Sequence, residues 1–294
     1  MDVDARVEAW ASLQLVPGLG TRAVVALLKA LGNPVNVRSA SRETLSRHVP
    51  AEVAAAIRRG PDGAQFERTL AWLARPGHSL VAWDDADYPA ALLSIADPPP
   101  VFYHVGRRDL LNRPAIAVVG SRNATAQGVS DAEAFAAALS AAGLTIVSGL
   151  GIGIEAAAHR GGLRGSGSSL AVVGTGLDRV FPPANRHLAE QLSTGGALTS
   201  EFPLGASALA AHLLQRNRLI SGLCRGVLVV EATSRCGSLG VARLAAEQGR
   251  EVFAIPGSIH SPFSKGGHRL IKEGAKLVET ASDVLEELRL RAPA

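Results

Sequence analysis

The sequence predicts an α/β protein in which a doubly wound, mostly parallel sheet follows a small N-terminal helical domain. Two patterns predict this fold: apolar residues before residue 75 recur at helical spacing, and short apolar runs beyond residue 114 alternate with amphipathic helical stretches. Strands that alternate with helices are joined by crossovers, which makes neighbouring strands parallel. The chain has 294 residues, 47% of them hydrophobic, and is long enough to bury the core of such a sheet.

Residues 1–75 are predicted to form the helical domain. Apolar residues flank the break Pro17-Gly18-Leu19-Gly20, which feeds a helix at Thr21. A Gly-x-Gly turn before a helix is typical of the helix-hairpin-helix pattern, whose exposed backbone N–H groups can hold a DNA phosphate. So short a motif is equally compatible with an ordinary glycine turn in which Thr21 is the N-cap.

Residues 76–294 are predicted to form the second domain. Its first part, residues 76–114, is rich in Asp, Pro and aromatic residues and is expected to be a structured lead-in to the sheet. A last helix is expected at Asp283–Leu290. The predicted strands are Ala115–Val119, Thr145–Val147, Leu170–Val173, Ala197–Leu198, Val227–Val230, Glu251–Ile255 and Lys276–Val278.

The charge balance favours an anionic partner. The chain carries 30 Lys and Arg against 26 Asp and Glu, a net charge of +4. Most of the basic residues are arginines, which bind phosphate in a bidentate way, although GC-rich coding explains the same bias equally well.

No signal-peptide core and no run of about 18 apolar residues is present, so we expect a cytoplasmic protein without a membrane partner. Cys224 and Cys236 lie outside any metal-ligand spacing, and neither a metal site nor a disulfide is expected.

The residues just after each strand are the candidates for a binding site, because ligands of doubly wound sheets lie beyond the carboxyl ends of the strands. Glycines follow several of these strands, and glycine lets backbone N–H groups approach a phosphate closely. Arg122 is expected to add a charge-assisted fork on the same phosphate. Taken singly, Gly120 or Gly174 is also compatible with a tight turn. The candidate phosphate-binding residues are Gly120, Ser121, Arg122, Ser148, Gly149, Gly151, Gly153 and Gly174.

Two further basic segments are candidate DNA contacts. Arg216, Asn217 and Arg218 open an amphipathic helix, where they present either a phosphate-binding cluster or a solvated helix face. Lys265 lies in a glycine-containing loop before a later helix and is a candidate phosphate ligand as well.

Enzymatic activity is not predicted, and neither is a cofactor. The run from Gly149 to Gly153 departs from the dinucleotide fingerprint G-x-G-x-x-G, because Ile154 stands where the last glycine belongs. Glu155 and His159 are four residues apart on one predicted helix and are compatible with an acid–base pair, but no nucleophile elbow accompanies them. We therefore expect no catalytic residue.

The order of the motifs resembles the DprA/Smf family of DNA-processing proteins from about Leu80 to Glu279. The segments that carry the resemblance are Asp87-Tyr88-Pro89, Asp97-Pro98-Pro99, Val119–Arg122, Ser148–Glu155, Ala158-His159, Gly174–Asp178, Phe181-Pro182 with Asn185, Ser200-Glu201, Arg216–Arg218, Cys236–Leu239, Pro256-Gly257, Leu270-Ile271 and Gly274-Ala275.

The resemblance implies a Rossmann-like domain that binds and protects single-stranded DNA, forms a homodimer and loads RecA recombinase onto incoming DNA in natural transformation. It implies phosphate contacts for Arg122, for the Gly149–Gly153 loop and for Arg186. The chain departs from the family at Leu213, where members often carry an aromatic residue suited to stacking on a base. Binding dominated by the DNA backbone is therefore expected. The chain ends at Ala294, so the small C-terminal winged helix of some members is not expected.

Two other functions are less compatible with the sequence. The cytokinin-activating phosphoribohydrolases, which the chain also resembles in its glycine-rich cradle, carry a Pro-Gly-Gly-x-Gly-Thr-x-x-Glu run. The nearest segment here, Thr233–Gly240, lacks that run. A pure scaffold protein has no need of an anion-binding cradle.

Overall fold

The computed structural model of the protein describes residues 4–290. Its strands are β1 (His78–Ala82), β2 (Val101–Gly106), β3 (Ala115–Val119), β4 (Thr145–Ser148), β5 (Ser169–Val172), β6 (Ala197–Ser200), β7 (Gly226–Val229), β8 (Glu251–Ala254) and β9 (Lys276–Leu277). Across the described residues they form one sheet in the order β1-β2-β6-β5-β4-β3-β7-β8-β9. Strands β3 to β9 pair in parallel. The predicted α/β fold with a doubly wound, mostly parallel sheet is confirmed.

All seven predicted strands are present, with bounds that differ by two residues or fewer. The predicted lead-in contains two strands that the sequence prediction did not resolve, because Pro and Asp clusters surround each apolar run. Strand β2 pairs antiparallel with β6, and β1 pairs antiparallel with β2. This hairpin extends the sheet beyond β6.

Six helices precede the sheet: α1 (Ala5–Gln14), α2 (Thr21–Leu31), α3 (Pro34–Ser39), α4 (Arg42–Ser46), α5 (Ala51–Arg59) and α6 (Gly63–Leu73). The later helices in residues 4–290 are α7 (Ala90–Leu93), α8 (Ala126–Ala141), α9 (Ile154–Gly162), α10 (Arg186–Gly195), α11 (Ala210–Gln215), α12 (Asn217–Gly222), α13 (Ser238–Glu247), α14 (Lys265–Lys272) and α15 (Ala281–Glu287). Short 3₁₀ turns span Arg108–Asn112, Pro183–Asn185 and Pro262–Ser264.

Helices cover both faces of the sheet. On one face α7, α12 and α13 pack against the strands, with Leu92, Ile220 and Ala245 fully or almost fully buried. On the other face α8, α9 and α15 pack through residues such as Leu139 and Ala158. Burial on both faces explains why the central strands read as continuous apolar runs.

The N-terminal helices pack onto the β1–β2 hairpin. Trp72 of α6 packs edge-on against Tyr103 of β2, and Trp10 of α1 is buried in the same apolar cluster. The N-cap of α2 is Gly20, and Thr21 is the first residue inside the helix. The alternative in which Thr21 caps this helix is therefore wrong. The boundary between residues 75 and 76 stays a prediction, and residues 1–3 and 291–294 of the two predicted domains lie outside the described residues.

The last helix, α15, begins two residues earlier than predicted. Thr280 caps it, and the Asp283 carboxylate accepts a hydrogen bond from the Thr280 N–H in return. None of the helices in residues 4–290 is long and apolar enough to cross a membrane. The same part of the chain holds no group of three or more His, Cys, Asp and Glu side chains that could bind a metal ion.

Candidate nucleic-acid interface

A cavity opens at the carboxyl ends of the parallel strands, where the strand order reverses between β3 and β7. This switch-point cavity has a volume of about 180 Å³ and adjoins a groove of about 570 Å³, the switch-point groove. Arg122, Glu155, Leu213 and Arg216 line both. The loops after β3, β4 and β5 and helix α11 therefore converge on one surface.

Arg122 is the exposed basic residue at the centre of this surface. It is the third residue after β3, and its side chain lines the switch-point cavity and the switch-point groove. Within residues 4–290 no carboxylate lies within salt-bridge distance of its guanidinium. The guanidinium is therefore available to an external anion.

Arg216 is held inside the fold instead. It is only 6% exposed, and its Nη1 donates to the Val172 carbonyl at 2.8 Å. Its Nη2 pairs with Glu155 Oε1 at 3.3 Å, and Glu155 Oε2 accepts the Gly151 N–H at 2.8 Å. The buried charge is thus balanced by Glu155, and Arg216 fixes the loops after β4 and β5 in place.

Glycines are required at two points of the β4–α9 loop. Gly149 lies against the Arg216 guanidinium so closely that a Cβ atom would collide with it. Gly153 has φ +75°, and a Cβ there would collide with the backbone of Ser121 and Arg122. These two glycines bring the loops after β3 and β4 together, whereas Gly151 lines the switch-point cavity itself.

His159 also holds the β4–α9 loop in place. The ring is completely buried, and its Nε2–H donates to the Gly149 carbonyl at 2.6 Å while Nδ1 lies 2.7 Å from Ser169 Oγ. Burial lowers the pKa of His159 to about 4, so the imidazole is neutral near pH 7. Since Glu155 is engaged with Arg216 and Gly151, the two residues do not form the acid–base pair that their spacing allowed.

The two hydroxyls predicted as phosphate ligands differ, because Ser148 donates within the fold whereas Ser121 lines the switch-point groove. Ser148 is fully buried and donates to the Val118 carbonyl at 2.7 Å. Ser121 Oγ accepts the Asn123 N–H at 3.1 Å. The Ser121 N–H donates to the Glu231 carbonyl at 2.7 Å, which ties the end of β3 to the end of β7.

The remaining predicted residues divide into two groups. Asn217 lines the switch-point groove, and Gly120 and Gly174 line the groove and the cavity respectively. Arg186 is exposed at the start of α10 but lines neither the cavity nor the groove. The neighbouring Asn185 donates to the Leu150 carbonyl at 2.9 Å, which ties this helix start to the cavity loop.

Arg218 and Lys265 do not line the cavity or the groove. Arg218 pairs with Glu201 and, at 3.5 Å, with Asp97. Positions two apart are about 200° apart around a helix, so Arg216 and Arg218 cannot face the same surface. Lys265 is exposed and donates to the Ile259 carbonyl at 2.5 Å.

One aromatic residue at this surface was not assigned a role from the sequence. Phe181 is 45% exposed and lines the switch-point cavity. The sequence signal was the Phe181-Pro182 pair, but nothing in the local sequence placed Phe181 in the same cavity as Leu213. Leu213 is half-buried and lines the cavity and the groove.

A family model described as DNA recombination-mediator protein A matches residues 79–289. The chain belongs to the DNA recombination-mediator protein A family. Protein Smf from Escherichia coli K12 is 46% identical over 225 residues, which cover 76% of this chain and 60% of Smf. DNA processing protein DprA from Streptococcus pneumoniae R6 is 47% identical over 212 residues, or 72% of this chain and 74% of that protein.

Solved structures of the DNA recombination-mediator protein A family show how far the likeness extends. The X-ray structure of DprA from Streptococcus pneumoniae matches with a TM-score of 0.84 and 37% identity, and covers 98% of this chain and 99% of that chain. The match therefore includes the N-terminal helices as well as the sheet. A structure of DprA from Helicobacter pylori, described by its single-stranded DNA binding mode, matches with a TM-score of 0.65 and 26% identity over 72% of this chain and 95% of that chain.

Proposed function

We propose that the protein binds and protects single-stranded DNA at the switch-point cavity and the switch-point groove. The observation that carries this proposal is the exposed Arg122 guanidinium, which has no carboxylate partner in residues 4–290 and lies where three strand-end loops converge. A guanidinium in this position makes a bidentate, charge-assisted contact with a phosphate. The single-stranded DNA binding mode described for the Helicobacter pylori relative supports the same proposal.

The shape of the cavity favours an unpaired base over a dinucleotide or a duplex. Its volume of about 180 Å³ is below the roughly 300–1,000 Å³ of sites for drug-sized ligands. Phe181 stands at its wall with 45% of its surface exposed. An unpaired base can stack on such a ring, whereas the bases of a duplex are already stacked on each other.

The proposal has two further parts. The protein transfers the bound strand to RecA recombinase, and it forms a homodimer through the sheet-bearing domain. Membership of a recombination-mediator family supports a role in handing DNA to a recombinase. We propose no enzymatic step and no cofactor. Glu155 accepts the Gly151 N–H and His159 donates to the Gly149 carbonyl, and these contacts support a structural role for both residues.

Replacement of Arg122 by Ala tests the proposal. Loss of one charged hydrogen-bonding group costs about 1–3 kcal/mol, so affinity for a fluorescent oligothymidylate should fall about 5- to 150-fold in an anisotropy titration. Arg225→Ala is the matched control, because Arg225 is exposed and immediately precedes β7, at the amino ends of the strands and away from the cavity at their carboxyl ends.

The control variant should bind within about twofold of the unchanged protein, and both variants should keep its melting temperature. Equal losses in the two variants would mean that net charge, and not the Arg122 site, governs binding. Equal affinity for duplex and single strands would contradict the proposed preference.

A further inference from the structure

A second basic groove lies between helix α6 and the loops that follow β5 and β6. This α6 groove has a volume of about 690 Å³ and is lined by Arg68 and Arg75 on one side and by Asp178 and Arg179 on the other. Arg68 lies on α6, Arg75 is the second residue after the helix ends at Leu73, and both line the groove. All three arginines are exposed.

The α6 groove carries an excess of positive charge. Among residues 4–290 none of its three arginines has a carboxylate within salt-bridge distance. Asp178 is the acidic residue in its lining, and one oxygen of that carboxylate accepts the Gly205 N–H at 2.8 Å. Three guanidiniums against one carboxylate attract an anion.

One loop separates the α6 groove from the switch-point cavity. Within residues 174–182, Gly174, Thr175 and Phe181 line the cavity, whereas Asp178 and Arg179 line the α6 groove. A strand that leaves the cavity past Phe181 has only this loop to cross before it reaches Arg179.

We propose that the α6 groove is a second binding site for the same single strand and takes its backbone phosphates on Arg68, Arg75 and Arg179. This inference rests on the proposed function. Guanidiniums suit phosphate oxygens, and Trp72, the aromatic residue of the lining, is only 4% exposed and cannot stack on a base. The α6 groove therefore binds the DNA backbone without regard to sequence, and the N-terminal helices lengthen the binding site.

The test compares oligothymidylates of about 6 and about 25 nucleotides, the shorter being long enough for the cavity alone. A variant with Arg68, Arg75 and Arg179 changed to Gln should bind the long strand about tenfold more weakly, the sum of three exposed contacts. The slope of log K against log salt should fall in magnitude by about 2, because each phosphate contact on a single strand contributes about 0.7. The short strand should bind as before.

The matched control changes Arg42, Arg59 and Arg225 to Gln, which removes the same charge at exposed positions that do not line the α6 groove. This control should change the affinity for either oligonucleotide by less than about twofold. The proposal for the α6 groove is wrong if the Arg68, Arg75 and Arg179 variant keeps the salt slope of the unchanged protein on the long strand. It is also wrong if this variant loses as much affinity for the short strand as for the long one.

Arg122→Ala separates the two proposals, because it should weaken the binding of both the short and the long oligonucleotide. If that variant binds both strands normally, the switch-point site fails. The result with the Arg68, Arg75 and Arg179 variant then still shows whether the α6 groove holds phosphate.

Discussion

Replacing Gly149 by Ala should displace Arg216 from its buried position. A Cβ atom at residue 149 would collide with the guanidinium, which would then have to leave the Val172 carbonyl at 2.8 Å and Glu155 at 3.3 Å. Each of these contacts involves a charged group, and such hydrogen bonds contribute about 1.5–3 kcal/mol.

The two contacts together set an upper limit of about 6 kcal/mol on the loss. Arg216 lines the switch-point cavity, so the displaced guanidinium can recover part of this free energy through contact with water. We expect the free energy of unfolding to fall by about 3 kcal/mol. For a chain of this size that corresponds to a melting temperature lower by roughly 6–12 °C.

Thermal and urea denaturation measure this loss, and Gly237→Ala is its matched control. Gly237 lines the switch-point groove, already has a helical φ of −61°, and has no atom within 4 Å of an added Cβ. That substitution should change stability by less than about 1 kcal/mol. If Gly149→Ala is as stable as Gly237→Ala, the contact between Gly149 and Arg216 does not hold the loops together.

Three further substitutions test the surface and the core. Leu213→Phe should tighten single-strand binding by up to about 1–3 kcal/mol without lowering the melting temperature, because an aromatic ring there can stack on a base. Its control is Leu93→Phe, at a position that is 57% exposed and lines neither the cavity nor the groove. A less stable Leu213 variant without a binding gain would place Leu213 in the core. Phe181→Ala should weaken binding of the same strand by about 1–3 kcal/mol, and unchanged affinity would exclude stacking on this ring. Burial lowers the pKa of His104 to about 4, from 6.5 for a free imidazole. Between pH 6.5 and pH 4 the unfolded chain therefore holds a proton on His104 that the folded protein does not, so the free energy of unfolding should fall as the pH drops through this range. His104→Leu should make the melting temperature less dependent on pH over that range, and an unchanged dependence would show that His104 does not contribute to it.

The central strands could be predicted because their signal is local. Each is a short apolar run bounded by glycine or polar residues, and burial between two helical layers leaves such runs uninterrupted. The hairpin β1–β2 was harder to predict, because the pairing of β2 with β6 joins Tyr103 to Ser200 across almost a hundred residues. No local pattern reports a pairing at that separation.

The residues around the switch-point cavity divide in the same way. The position of Arg122 beside the cavity could be predicted, because Arg122 is the third residue after β3 and the carboxyl ends of the strands meet at such a cavity. The burial of Arg216 could not, because it depends on Glu155, which is 61 residues away in the chain. The place of Phe181 in the cavity depends on the course of a long loop. The pairing of Arg218 with Glu201, on a different face of the helix from Arg216, was likewise not visible in the sequence.

The loop of residues 174–182 links the two sides that it separates. Thr175 Oγ1 donates to the Arg179 carbonyl at 3.1 Å, and Asp178 is bonded to Gly205 at 2.8 Å. Phe181 and Arg179 therefore belong to one loop whose backbone is held by these two hydrogen bonds. If binding beside Phe181 changes the affinity beside Arg179, binding beside Arg179 changes the affinity beside Phe181 by the same factor, because free-energy coupling between two sites is reciprocal.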